Sequence, residues 1–265
     1  MRATLGSGSF FESFVVSITA QARYATTALH YDFLGNLIAC RCSTARRWEK
    51  DRNSKSTPEM GTSTGSAGYR QLIAEYIREH AKPADKFSHQ PRLYALAKRL
   101  AEGNAYDDDV LYAAAWMHDL GVFIGHRPED PAELARWDNV AYAMRETPAL
   151  LQRFGFPSEK IPAVLEVIRT HQPSAQPTCF EAVVLRDADI LEQMGAVGIL
   201  RTVSKVGRDT RFVRFSDALT VLRKNADELP GKLGLDAARR LAEPRLEALR
   251  SFLQAANAET GTIEW

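Results

Sequence analysis

The sequence predicts an all-α protein, and three observations carry that expectation. From Tyr69 onward, apolar residues recur at helical spacing almost without interruption. No stretch alternates apolar and polar residues as a half-buried strand does, and no Asn-Gly or Asp-Gly pair separates two apolar runs. With 265 residues, 45% hydrophobic and 25% charged, the chain can bury a core without disulfides.

Each element has its own signal. Leu72, Ile73, Tyr76 and Ile77 mark the first helical face. Leu93, Leu96, Ala97 and Leu100 mark a second, after Ser88 as N-cap and with Pro91 in the first turn. Asp107, Asp108 and Asp109 suit a helix N-terminus ahead of Val110, Leu111, Ala114, Ala115 and His118. Gly121 is expected to stop that helix. The same periodicity predicts helices over about 131–146, 158–171, 179–195, 196–207, 214–228 and 235–257.

Residues 1–66 read differently, as a poorly ordered extension and linker ahead of a helical domain over 67–265. The extension has no periodic apolar face and ends in SKSTPEMGTSTGSAG. A segment that buries little apolar area cannot offset its ordering entropy, so it is expected to be mobile and dispensable for folding. Cys40-x-Cys42 lacks a second ligand pair, which makes two ordinary thiols the expectation there rather than a zinc site. The apolar stretch around Phe10 is interrupted by Glu12 and does not read as a signal peptide.

Charge and cysteine usage exclude several classes. Lys plus Arg number 34 and Asp plus Glu 33, a balance of +1. Residues 1–60 hold eight basic and five acidic residues, which leaves 26 − 28 = −2 for the remainder. That sign argues against long nucleic acids as substrate. Three cysteines do not make a secreted disulfide scaffold, and no apolar run reaches the length of a membrane span. A cytoplasmic protein without a membrane partner is expected, and a homodimer is compatible with it.

The chemistry concentrates in AAAWMHDLG, where His118 and Asp119 are adjacent at the end of an apolar helix. Imidazole nitrogen and carboxylate oxygen together suit a borderline divalent metal. An isolated His-Asp pair is more often a packed histidine beside a solvated aspartate, so the company decides. His89 opens a predicted helix 29 positions earlier, and Asp187 and Asp189 lie in LRDADILEQMGAVGI. Asp189 sits among Ala188, Ile190 and Leu191, and an ionised carboxylate on such a stretch needs a metal or a base beside it. Asp187 fits a helix-start cap or a supporting role better.

His89, His118–Asp119 and Asp189, in the order H…HD…D, resemble the HD superfamily of metal-dependent phosphohydrolases. The stretch from about 86 to 202 resembles one branch of it, through FSHQPRLYALAKRLAEG, AAAWMHDLG, IRTHQPSA and EAVVLRDADILEQMGAVGILR. The resemblance implies an HD-domain helical bundle with one divalent metal (Mn, Fe, Co, Ni or Zn) held by His89, His118, Asp119 and Asp189. It implies hydrolysis of a phosphate ester or anhydride in a small molecule, a nucleotide foremost. Asp119, His126 and His171 are then the candidate proton-transfer residues, with Ser174 and Glu181 completing the pattern around His171. Arg127, Arg201 and Lys205 are the candidate substrate-binding residues, and Arg201, Lys205 and Arg208 fall on one helical face.

Departures from other branches narrow the reading. Alarmone hydrolases carry Glu-Asp three residues after the HD pair, where this chain has Leu120, Gly121, Val122 and Phe123. The cyclic-dinucleotide branch has HD-x-G-K, but Val122 stands at the lysine position. The nucleotidase-like members place Glu where Val122 lies. Two-metal members, including iron oxygenases, add two histidines, and His126 lies only seven residues after Asp119 while WDNVAYA, with Asp138, follows. A catalytically silent regulatory module and a two-metal iron oxygenase remain as alternatives.

Overall fold

Helix α3, Asp108–Met117, is buried on every face from Val110 to Met117. A helix that is apolar all round belongs in the middle of a bundle, and its run Ala113–Ala114–Ala115 lets neighbours approach closely. The computed structural model describes residues 29–31, 37–39 and 67–261. Contacts divide the chain into two units, Met1–Met60 and Gly61–Trp265. In the first, Leu29–Tyr31 (β1) pairs antiparallel with Leu37–Ala39 (β2). These three-residue strands are too short to show an alternating pattern. The intervening sequence does contain Gly35-Asn36, residue types suited to turns. The expected linker, the Cys40-x-Cys42 pair and the apolar stretch near Phe10 lie outside the described residues.

The second unit is helical throughout. Around α3 pack Ala67–His80 (α1), His89–Ala101 (α2), Ile161–Thr170 (α6) and Phe180–Glu192 (α7). Pro131–Ala135 (α4) is a short connector, and Asn139–Arg153 (α5) lies on α6. Gly195–Val203 (α8), Phe215–Glu228 (α9) and Asp236–Thr260 (α10) pack against one another, with α10 and α8 also touching α7. A small second core of Leu222, Ala226, Leu249 and Leu253 joins α9 to α10. No helix among the described residues is long and apolar enough to cross a membrane.

Local chemistry explains several boundaries, and some differ from the sequence expectation. Asp107 caps α3 by accepting from the backbone N–H groups of Asp109 and Val110, as its position predicts. Ser88 precedes α2 but makes no capping bond with its side chain. On α1 the buried stripe is Tyr69, Ile73 and Ile77, while Leu72 is exposed. The single helix expected over 131–146 is two. The chain breaks after Ala135, and Asp138 starts α5 by accepting from Ala141 N.

Gly121 does not stop α3, which already ends at Met117. It lies in a 3₁₀ turn, Leu120–Val122, against the start of α5. A Cβ there would sit 2.5 Å from Asn139 O and 2.6 Å from Asn139 Cα. Its carbonyl also accepts from Trp137 Nε1 at 2.8 Å. Glycine is needed for close approach, not for a left-handed cap. Gly121→Ala must push backbone against backbone, and overpacking of this kind costs about 1–3 kcal/mol. The melting temperature should fall by roughly 3–10 °C at about 2–4 °C per kcal/mol for a domain of this size. An unchanged thermal melt would show that the α5 terminus yields freely.

Candidate metal centre

Four candidate ligands arrive from three places in the bundle. His89 is the first residue of α2, His118 and Asp119 follow the last residue of α3, and Asp189 lies on the last turns of α7. Because α2, α3 and α7 pack together, residues 100 positions apart meet. His89 Nε2 lies 3.4 Å from Asp189 Oδ1 and 3.7 Å from Asp119 Oδ2, and His118 Nε2 lies 3.5 Å from Asp119 Oδ1. Donor atoms of His89, His118 and Asp119 all fall within 4.8 Å of one another.

The donor set fits a divalent cation. His89 and His118 are 2% and 1% exposed, yet neither Nε2 makes a hydrogen bond. An unsatisfied buried polar atom costs about 1–3 kcal/mol, so two that cluster with an oxygen of Asp119, with Asp189 meeting the cluster at His89, mark a place built for a ligand. Bonds of about 2.1 Å place adjacent ligand atoms roughly 3.0–3.5 Å apart, close to the spacings here. The outward nitrogens are anchored. His118 Nδ1 meets Ala115 O at 3.0 Å, so it carries the proton and leaves the Nε2 lone pair facing inward. His89 Nδ1 faces Glu192 Oε2 at 3.4 Å.

Electrostatics favour ligation at His118, Asp119 and Asp189, while His89 without a cation is drawn toward its protonated form. Burial pushes His118 down to about 4, which keeps its imidazole neutral. Burial also pulls on His89, but the carboxylates of Asp189 and Glu192 outweigh it and hold its pKa above the ordinary value. Burial raises Asp119 and Asp189, and the facing imidazoles reverse that, so both stay ionised.

The family model for the HD domain matches residues 87–194, a span that holds all four ligand candidates in order. The chain carries an HD domain. No curated protein sequence matches the chain. Solved structures share the fold. The crystal structure of Bacillus subtilis YpgQ superposes with a TM-score of 0.57 at 23% identity, covering 74% of this chain and 97% of that one. The same protein in complex with ADP gives 0.56 at 24% identity, covering 74% and 96%. The Lin1889 protein from Listeria innocua gives 0.55 at 20% identity, covering 74% and 97%.

Beside the candidate ligand set lie two adjoining cavities of about 230 and 290 Å³, lined by residues within the matched span and on both sides of it. Asp119 and Asp189 line the first and His89 the second. Both share Lys86, Val122, Arg127, Arg201, Lys205 and Asp209. The sequence-expected Arg127, Arg201 and Lys205 are thus brought together. Arg208 joins them in the second cavity, though not along one helix face as expected. Helix α8 ends at Val203, and the turns that follow carry Lys205 and Arg208 round. Arg201 owes its place to Gly198, where a Cβ would be 2.4 Å from Gln193 O. This contact lets α8 fold tightly onto the end of α7.

Other expected residues are distributed unevenly. The His171 ring lies 5.0 Å from that of His118, edge to face, with Nδ1 bonded to Ile168 O at 2.6 Å. His126 is not brought to the ligand set. Its ring packs among those of His80, Phe123 and Tyr142, and it lines neither cavity. Glu181 accepts from Asp107 N at 2.8 Å, a tie between α7 and the start of α3. Asp187 is in neither a first turn nor the centre. It is fully buried on the far side of α7 and accepts from Gly234 N and Leu235 N at 2.7–3.0 Å. Sequence reasoning did not reach Lys86, Arg92 and Glu192. The last two stand three residues after His89 and Asp189, on the same helix faces, and that i, i+3 spacing was the available signal.

Proposed function

We propose that the protein is a metal-dependent phosphohydrolase acting on a small phosphorylated molecule, foremost a nucleotide. The observation that carries the reading is a histidine–carboxylate ligand set opening directly onto cavities lined by Lys86, Arg127, Arg201 and Lys205. That a protein of the same fold, Bacillus subtilis YpgQ, was crystallised with ADP supports a nucleotide.

His89, His118, Asp119 and Asp189 would hold the cation. A divalent metal bound there neutralises phosphoryl charge and lowers the pKa of the attacking water. The chain's own groups do the rest. The cavity cations take up phosphate oxygens and hold the phosphorus in line with Asp119. Asp119 orients the water and receives its proton as the water oxygen bonds to phosphorus. Neither histidine lines a cavity, but His171, with its ring 5.0 Å from that of His118, lies nearer the ligand set than His126 and would protonate the leaving oxygen as the old P–O bond breaks. A panel of nucleotides and sugar phosphates with Mn²⁺ tests the reading. Release of phosphate or pyrophosphate from a member supports it, and a metal-loaded protein inert on the whole panel counts against it.

Lys205 gives the cavity a pH dependence. Burial, then the neighbouring cations Lys86 and Arg201, push it down to about 8. Below that pH it is charged, and above it the cavity loses a cation. Affinity for inorganic sulfate, which does not titrate in this range, should fall between pH 7 and 9.5. Lys205→Met should bind sulfate more weakly at pH 7 and flatten the profile. A slope that persists in Lys205→Met would assign the titration elsewhere.

A further inference from the structure

Helices α2 and α7 face each other with two rungs. One joins the ligand candidates His89 and Asp189. The other, three residues further along each helix, joins Arg92 and Glu192. Glu192 is 3% exposed, and its Oε2 alone draws four contacts. His89 Nδ1 lies at 3.4 Å, Arg92 Nε and Nη2 at 3.2 and 3.0 Å, and Arg201 Nη1 at 3.7 Å. Arg201 Nη1 also donates to the Glu192 carbonyl at 3.3 Å. Arg92 and Arg201 line the second cavity, and Arg201 the first as well.

We infer that Glu192 is a positioning residue that couples the metal-ligand set to the anion-binding cavities. The inference rests on the metal reading above. A carboxylate needed only for folding would be satisfied by one arginine. This one instead touches the outer nitrogen of a ligand and two guanidinium groups at the cavity wall. Accepting from His89 Nδ1–H fixes the tautomer whose Nε2 lone pair faces the ligand set. Holding Arg92 and Arg201 on one oxygen keeps their remaining N–H donors turned to the cavity, in the fork geometry that suits phosphate. One residue therefore sets both the direction of a metal ligand and the direction of the anion donors.

The test compares the full chain with Glu192→Gln and Arg92→Gln by calorimetric titration, first with Mn²⁺, then with inorganic phosphate on the metal-free protein. Glu192→Gln is expected to weaken Mn²⁺ by about 10–100-fold, the usual cost of losing an outer partner of a ligating histidine. It should also weaken phosphate several-fold. Arg92→Gln, at a half-exposed position, should weaken phosphate and leave Mn²⁺ nearly unchanged. ¹⁵N spectra of the Zn²⁺-loaded native chain should show His89 bound through Nε2 with its proton on Nδ1. That measurement decides the matter even where Glu192→Gln fails to fold. Ligation through Nδ1, or equal Mn²⁺ affinity in a folded Glu192→Gln, overturns the coupling role. A native chain that binds no Mn²⁺ overturns the metal reading instead.

Discussion

Asp119→Ala is expected to strip the metal and abolish hydrolysis while leaving the helices in place. Asp119 is the residue whose two oxygens face both His89 and His118, at 3.7 and 3.5 Å. Without it no carboxylate lies within 4 Å of both imidazoles, since Asp189 meets only His89 at that range, and affinity should drop by more than the roughly 10–100-fold that an outer partner costs. The fold should survive because the core is built elsewhere. The buried cluster around α3 is apolar and contains none of the ligands. Metal analysis after gel filtration, circular dichroism and a turnover assay on one preparation check all three parts. Normal metal content with normal turnover would remove Asp119 from the site.

Asp187 and Asp189, two residues apart, should fail in opposite ways. Asp189→Asn should lose metal and keep its melting temperature, because Asp189 faces the ligand set and accepts only from Gln193 Nε2, a bond the amide oxygen can still take. Asp187→Ala should keep metal and melt early. It leaves the N–H groups of Gly234 and Leu235 without their acceptor at the turn that starts α10. Gly234 is exposed and Leu235 half-buried, so water reaches the freed donors, and at about 0.5–1.5 kcal/mol per hydrogen bond the loss is roughly 1–3 kcal/mol, or about 2–12 °C for a domain of this size. Asp187→Asn, which retains one acceptor oxygen, should fall between and also keep its metal. Metal content and thermal melts on the same samples decide it, and the reverse pattern would exchange the two roles.

The helical class and most helix faces were legible because burial along a helix repeats every 3.6 residues, and Leu93, Leu96, Ala97 and Leu100 obey that period with nothing competing. Asp189 stood out because an Asp among Ala188, Ile190 and Leu191 is costly without a partner, and the set of four candidates came from the order of the H…HD…D motifs. What stayed hidden depends on approach between distant segments. Gly121 looked like a helix stop because its neighbour across the turn, Asn139, is 18 residues away. His126 shares a loop with Arg127, yet the two side chains part, one to an aromatic cluster and one to the cavities. A loop has no period from which to read that divergence. Glu192 went unread, because its partners Arg92 and His89 lie about 100 positions earlier.

Helix α7 carries Asp187, Asp189 and Glu192 on one rigid rod, each committed to a different neighbour. Each residue advances the rod by about 100°. Losing or gaining a single residue between positions 187 and 192 would swing everything beyond it by that angle. The anchor to α10, the ligand set and the arginine clamp could then no longer all be met at once. The turns over 172–178, by contrast, precede the helix and can change length without rotating any of the three. Length variation among natural relatives should therefore concentrate in those turns and be absent from α7.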